Sequence, residues 1–153
     1  MQQLLNGVGG ATFALTAVRV ALGAFFVFSG AQKLINVERH EALVETLRTS
    51  RIPFLGAMQW FVPAVEFLGG LGVAFGCLTP LAAFGLLMIC SVALFTNAPR
   101  IVASYKPINF ADRVDDWLYL PEMLYALMLI YFIAAGAGPA SMDGLLKQWI
   151  GIS

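Results

Sequence analysis

The sequence predicts an all-α membrane protein, a four-transmembrane-helix bundle with a short amphipathic surface helix between spans one and two. Three features carry that prediction. Of 153 residues, 59% are hydrophobic and only 12% charged, whereas soluble domains have about 45–50% and roughly 25%. Mean hydropathy is +0.81. The apolar residues gather into runs near the ~20 residues that a bilayer crossing requires. One small soluble core could not hide that much apolar surface.

Span one is predicted over residues 11–34. From Asn36 to Arg51 the chain changes character: Val37, Leu43, Val44 and Leu47 recur at helical spacing among Glu38, Arg39, His40, Glu41, Glu45 and Arg48. This pattern predicts an amphipathic helix on the membrane surface or capping the bundle, ended by Pro53. Span two is predicted over 55–75, with Pro63 and Glu66 inside it. Gly76-Cys77-Leu78-Thr79-Pro80 reads as a tight turn, with Thr79 as N-cap and Pro80 at the first helical position. Span three covers 80–97, closed by Asn97, Pro99 and Arg100. Residues 104–116 read as a polar loop, and span four as 117–135. Gly136 to Pro139 stop it, and Ser141 to Ile150 add a last amphipathic turn or two. The 153 residues form one domain on this reading.

Basic residues in the connectors set the orientation. Arg39, Arg48, Arg51, Arg100, Lys106 and Arg113 follow spans one and three, with Lys33 at the end of span one beside them, against Lys147 on the other side. Both termini are therefore expected on the non-cytoplasmic side. Residues 1–10 carry no positive charge, and Arg19 interrupts the first apolar run, so that run is expected to be a span and not a cleaved leader.

Ionisable groups inside spans are costly, at about 2.5–3.5 kcal/mol each near a helix centre. Arg19, Glu66 and Glu122 lie within predicted spans, and Lys33 at the inner end of one. By helix rise, Arg19 falls ~12 Å from the outer end of span one and Glu66 ~16 Å into span two from the other side. Both are then near the midplane, while Lys33 and Glu122 share the inner boundary. The expectation is two level ion pairs, Arg19 with Glu66 and Lys33 with Glu122. Arg19, Gly23, Phe26, Gly30 and Lys33 share one helical face, and Pro63, Glu66, Gly69, Gly70 and Val73 share another. Small residues on a charged stripe point it into the bundle. Two readings compete: ion pairs that fix packing, or a polar pocket. Trp117 and Tyr119 read as interfacial belt residues.

Several chemistries are excluded or disfavoured. The single histidine, His40, lies outside the spans and reads as a solvated surface residue, so bis-histidine haem is excluded. No Cys/His cluster offers a metal site. Cys77 and Cys90 form no C-x-x-C pair; 13 residues apart, on a helix they would stand ~20 Å from each other, too far for a disulfide. No basic block suggests nucleic acid. Catalytic residues are not identifiable.

Span one reads Arg19-Val-Ala-Leu-Gly23-Ala-Phe-Phe-Val-Phe-Ser-Gly30-Ala-Gln-Lys33-Leu34, and Ile52-Pro53 follows the charged linker. Then come Glu66-Phe-Leu-Gly69-Gly70, the Gly76-Cys-Leu-Thr79 turn with Ala82 and Ala83 after it, Pro121-Glu122, and Gly136 to Asp143. In this order the motifs resemble the DoxX family, and the resemblance runs from about residue 15 to 145, with no counterpart for 104–116. It implies a four-helix protein of the bacterial cytoplasmic (inner) membrane, with relatives linked to thiosulfate:quinone oxidoreduction and to membrane redox or oxidative-stress assemblies. Arg19, Lys33, Glu66 and Glu122 match the family's intramembrane polar positions.

The expected function is a membrane subunit of a redox assembly, with no turnover alone, anchoring other protein subunits among membrane lipid. Gln32, Lys33, Glu122 and Tyr125, with Phe26 as a stacking surface, are the candidate quinone-binding residues, for ubiquinone or menaquinone; no covalent cofactor and no metal are expected. The alternative is a structural or assembly protein whose ion pairs only fix packing. A proton-coupled transporter built on Glu66 is disfavoured, since an arginine at the same depth would hold that carboxylate charged.

Overall fold

The computed structural model describes residues 11–105 and 108–150, and these are helical with short connectors. Lys106, counted above among the cytoplasmic charges, lies outside the described residues. In chain order the helices are α1 (Ala11–Ile35), α2 (Val37–Thr49), α3 (Leu55–Phe75), α4 (Thr79–Thr96), α5 (Ala98–Ser104), α6 (Phe110–Leu118), α7 (Pro121–Ala135) and α8 (Met142–Ile150). No strand occurs among the described residues. Three helices, α1, α3 and α4, are each long and apolar enough to cross a bilayer. A bent pair, α6 with α7, makes a fourth candidate.

The most extensive helix contact is between α1 and α3, and small residues make it possible. A Cβ on Gly23 would stand 2.5 Å from the Ala74 nitrogen, and one on Gly70 would stand 2.7 Å from the Val27 nitrogen. Only glycine permits backbones that close. The crossing also fixes register. Gly23 faces Ala74 and Gly30 faces Phe67, so Glu66 falls level with the turn that holds Ser29 and Lys33. Arg19 falls level with the end of α3. The first two turns of α1 run past that end, which is why span boundaries alone misjudged the depths.

Against this pair α4 and α7 pack a second layer. The core between the layers includes Leu22, Phe26, Val73, Leu86, Leu129 and Phe132. The amphipathic helix predicted after span one is α2. The Asn36 side chain accepts from the Glu38 and Arg39 N–H groups at 2.9 and 3.3 Å, an N-cap that starts it cleanly. Its last turn is tied to the bundle: Arg100 Nη2 donates to the Thr49 carbonyl at 2.7 Å, and Ser50 Oγ donates to Asn97 Oδ1 at 3.0 Å.

Three local expectations are corrected. Residues 104–116 are not simply a loop, because α6 occupies much of that stretch. Asn109 caps it, accepting from the Asp112 N–H at 2.8 Å, and Phe110, Val114 and Leu118 share one face among its carboxylates. Span four does not begin at Trp117. Pro121 holds Leu120 extended at φ −72°, ψ 127°, and the chain bends by 63° there. What remains, α7, has 15 residues, or ~22 Å of helix. Trp117 is half-buried and packs against Ala98, Val102 and Leu120.

The third correction concerns Thr79. It is the first residue of α4, not its cap; the capping position is Leu78, at φ 47°. The Asp143 carboxylate, at the start of α8, takes over the capping role, accepting from the Leu78 and Thr79 N–H groups at 2.8 and 2.9 Å.

Candidate functional site

The two basic residues of the α1 stripe stand 14 positions apart, and each builds a different cluster. Arg19 is 2% exposed. Its Nη1 donates to the Val73 and Ala74 carbonyls at 3.3 and 3.1 Å, and its Nη2 to the Ala140 carbonyl at 2.7 Å. Val73 and Ala74 belong to the last turn of α3, where carbonyls run out of helical partners; the Val73 carbonyl also accepts from the Gly76 N–H at 3.2 Å. A cation there also opposes the negative end of the helix dipole. Gly76, at φ 69°, lets the chain turn immediately afterwards, and a Cβ on it would run into the Arg19 guanidinium. The Asp143 N–H donates to the Gly76 carbonyl at 2.8 Å, and the Asp143 charge acts on Arg19. Cation at a helix C-terminus and anion at the next helix's N-terminus thus close one knot.

Lys33 and Glu66 form the other cluster. Lys33 Nζ donates to Glu66 Oε1 at 2.7 Å and to Oε2 at 2.6 Å, and Ser29 Oγ donates to Oε2 at 3.2 Å. Glu66 is 5% exposed, so its charge is held by these donors and not by water. The predicted pairings are therefore corrected. Arg19 does not reach Glu66, and the partner of Lys33 is Glu66, not Glu122. The α1–α3 register is the physical reason.

Glu122 lies in the first turn of α7, where the helix N-terminus favours a negative charge. Among the described residues its carboxylate makes no ion pair or hydrogen bond, and the Tyr125 hydroxyl makes no hydrogen bond. The Tyr125 ring packs on Phe25 and Phe26, with centroids 4.6 and 5.7 Å away.

Both groups line a cavity of about 740 Å³ that also exposes Phe26, Ser29, Lys33, Glu66 and Cys90. Most of its wall is apolar. Leu43 and Leu47 of α2 close it on one side, while Phe25, Phe61, Met88 and Val92 belong both to its wall and to the exposed apolar surface of the bundle. It therefore opens toward the lipid-facing side. Four of the five residues predicted for a quinone pocket, Phe26, Lys33, Glu122 and Tyr125, come together here. Gln32 does not. It is exposed and lies off the cavity, because one residue before Lys33 it points roughly 100° away around the helix.

Sequence reasoning missed three participants. Asp143 was read only as part of a terminal motif; the small run before it, Gly136 to Ser141, was the signal that chain could fold back onto the Gly76 turn. Cys90 lies a helix away from any polar stripe, and nothing in its neighbours marks it. His40 is half-buried, not a solvated surface residue: its Nδ1 is 3.0 Å from the Lys33 carbonyl oxygen, and its ring stacks on Trp60 at 4.5 Å. No group of three or more His, Cys, Asp or Glu side chains that could hold a metal converges among the described residues.

The DoxX family model matches residues 14–98, more than half of the chain, and the chain belongs to the DoxX family, whose members are membrane proteins often linked to redox and quinone-related systems. The match includes Arg19, Lys33 and Glu66, while Glu122, Tyr125 and Asp143 lie beyond it. No curated protein and no solved structure matches the chain.

Proposed function

We propose that this DoxX-family chain is a membrane subunit of a redox assembly, holding a quinone or quinol in the cavity between its helices and anchoring a partner protein. The observation that carries the reading is the cavity itself. An apolar slot with a few converging polar groups is the usual form of a small-molecule site, and this one opens on the lipid side, from which a quinone would enter. Lys33 and Tyr125 supply donors for a ring oxygen, with Phe25 and Phe26 beside the space a ring would fill. Ubiquinone and menaquinone both suit such a slot.

The exposed charged face of α2, with Glu38, Glu41, Glu45 and Arg48, is the surface we assign to the partner. Arg48, Arg51 and Arg100 gather at one end of the bundle, which supports a cytoplasmic side there, termini on the opposite side, and a bacterial inner membrane. The structural alternative draws on the Lys33–Glu66 pair, which by itself ties α1 to α3.

The test is extraction of the full chain from its own membrane, followed by mass spectrometry of the lipids and proteins that accompany it. A quinone should co-purify with the wild-type chain and be lost in Ala93→Trp, which drives a large side chain from α4 into the cavity. An extract free of quinone, together with no binding of added ubiquinone, would leave the assembly reading in its place.

A further inference from the structure

Among the polar groups that line the cavity, Glu122 is a carboxylate with no hydrogen bond or ion pair among the described residues, and the two redox forms of a quinone differ in whether they can donate to it. Lys33 has three N–H donors, and its ammonium already contacts both Glu66 oxygens at 2.7 and 2.6 Å. The Ser29 hydrogen goes to Glu66 as well, at 3.2 Å, which leaves the Ser29 oxygen as an acceptor. Glu122 contributes a carboxylate with no donor of its own among the described residues. Toward a ligand the cavity therefore presents strong acceptors at Glu122 and at Ser29. Its donors are the remaining Lys33 N–H, the Tyr125 hydroxyl, the Arg39 guanidinium, the Asn97 amide and the weak Cys90 thiol.

Resting on the quinone reading above, we infer that Glu122 makes the cavity selective for the reduced, hydroxyl-bearing headgroup, a quinol, over the oxidised quinone. A quinone offers two carbonyl acceptors and nothing to donate, so beside Glu122 it sets lone pair against lone pair. A quinol offers two O–H groups. One can donate to the Glu122 carboxylate, while the other accepts from Lys33 or Tyr125 and donates to Ser29. Glu122 is half-buried, and a ligand that covers its carboxylate without donating to it leaves that acceptor unpaired and is disfavoured for it. Hydrogen bonds to charged groups are also the strong ones. Glu122 is well placed for this role because the start of α7 favours its negative charge and it makes no ion pair among the described residues.

The experiment uses the full chain in lipid nanodiscs under anaerobic conditions, titrated calorimetrically with ubiquinone-1 and with chemically pre-reduced ubiquinol-1. The wild-type chain should bind the quinol about tenfold or more tightly than the quinone. Glu122→Gln should bring the two within about threefold, through lost quinol affinity and through an amide that can now donate to a carbonyl. Glu122→Asp, which keeps the carboxylate, should retain a preference for the quinol, and Tyr125→Phe should weaken both forms. Equal binding of the two forms by the wild-type chain, or the same ratio in Glu122→Gln, overturns the selectivity while leaving the cavity as a quinone site. Binding of neither form overturns the quinone reading itself.

Discussion

Arg19 and Lys33 lie on the same face of the same helix, and from sequence alone they look equivalent: a buried basic residue in a glycine stripe, with a carboxylate to be found on another span. The molecule treats them oppositely. Around Arg19 the charge serves the backbone, with the guanidinium on the last carbonyls of α3 and on Ala140, and Asp143 on the first N–H groups of α4. The fold-back of residues 136–143 closes over it. Around Lys33 the pairing is side chain to side chain, and the same neighbourhood contains a cavity, with a carboxylate and a phenol hydroxyl that make no hydrogen bond among the described residues. A buried charge in a membrane bundle is a functional hypothesis by default. The comparison adds a condition: the helix ends nearby must first be counted, because an end takes up charge that would otherwise be read as a site.

The largest expected effect separates the two clusters by coupling. Lys33→Met leaves the Glu66 carboxylate buried against a single Ser29 hydroxyl and should destabilise the bundle by about 3–5 kcal/mol. Adding Glu66→Leu should recover most of that loss, since an apolar pair of similar volume is often neutral. Arg19→Met should also destabilise strongly, through the Ala74 and Ala140 carbonyls left without the guanidinium, but Glu66 substitutions should not rescue it. SDS-driven unfolding of the single and double variants in micelles measures both cycles. Coupling of roughly 0.5–3 kcal/mol is expected for Lys33 with Glu66, and close to none for Arg19 with Glu66. Equal coupling in both cycles would return the molecule to the pairing that helix rise alone predicts.

A smaller effect tests which residue caps α4. Asp143→Ala removes the acceptor of two backbone N–H groups and should cost about 0.5–2 kcal/mol. Thr79→Val removes a buried hydroxyl that has no hydrogen-bond partner among the described residues, so it should change stability by less than about 0.5 kcal/mol. The reverse order in thermal melts would restore Thr79 as the cap.

The helices were legible because apolar runs, Pro53, Pro80 and the Asn36 cap are local signals that act within a few residues. The stripe of Arg19, Gly23, Phe26, Gly30 and Lys33 was legible too, since a helical period is a property of one chain segment. Partner assignment was not. It depends on the offset between α1 and α3, set where Gly23 meets Ala74 and Gly70 meets Val27, and no span boundary encodes that offset. The same limit explains Asp143, which acts 65 residues away on Leu78. Gln32 failed for a local reason: it sits one position off the stripe, and that was already visible in the helical period. In α6, the carboxylates masked a three-residue apolar face.

Glu122 gives a small expected effect on stability and for that reason a sharp contrast with Asp143. A carboxylate that capped a helix or neutralised a cation would be missed when replaced by its amide, as with Asp143. Glu122 does neither among the described residues. Its substitution by glutamine keeps volume and shape, loses only a favourable charge at the start of α7, and should cost no more than about 0.3–1 kcal/mol. Thermal unfolding of Glu122→Gln beside Asp143→Asn puts the two carboxylates on one scale. A small loss for Glu122 leaves it unused by the fold and available to a ligand. A loss as large as that of Asp143 would mean that Glu122 is engaged after all, and the two clusters would then differ in location but not in kind.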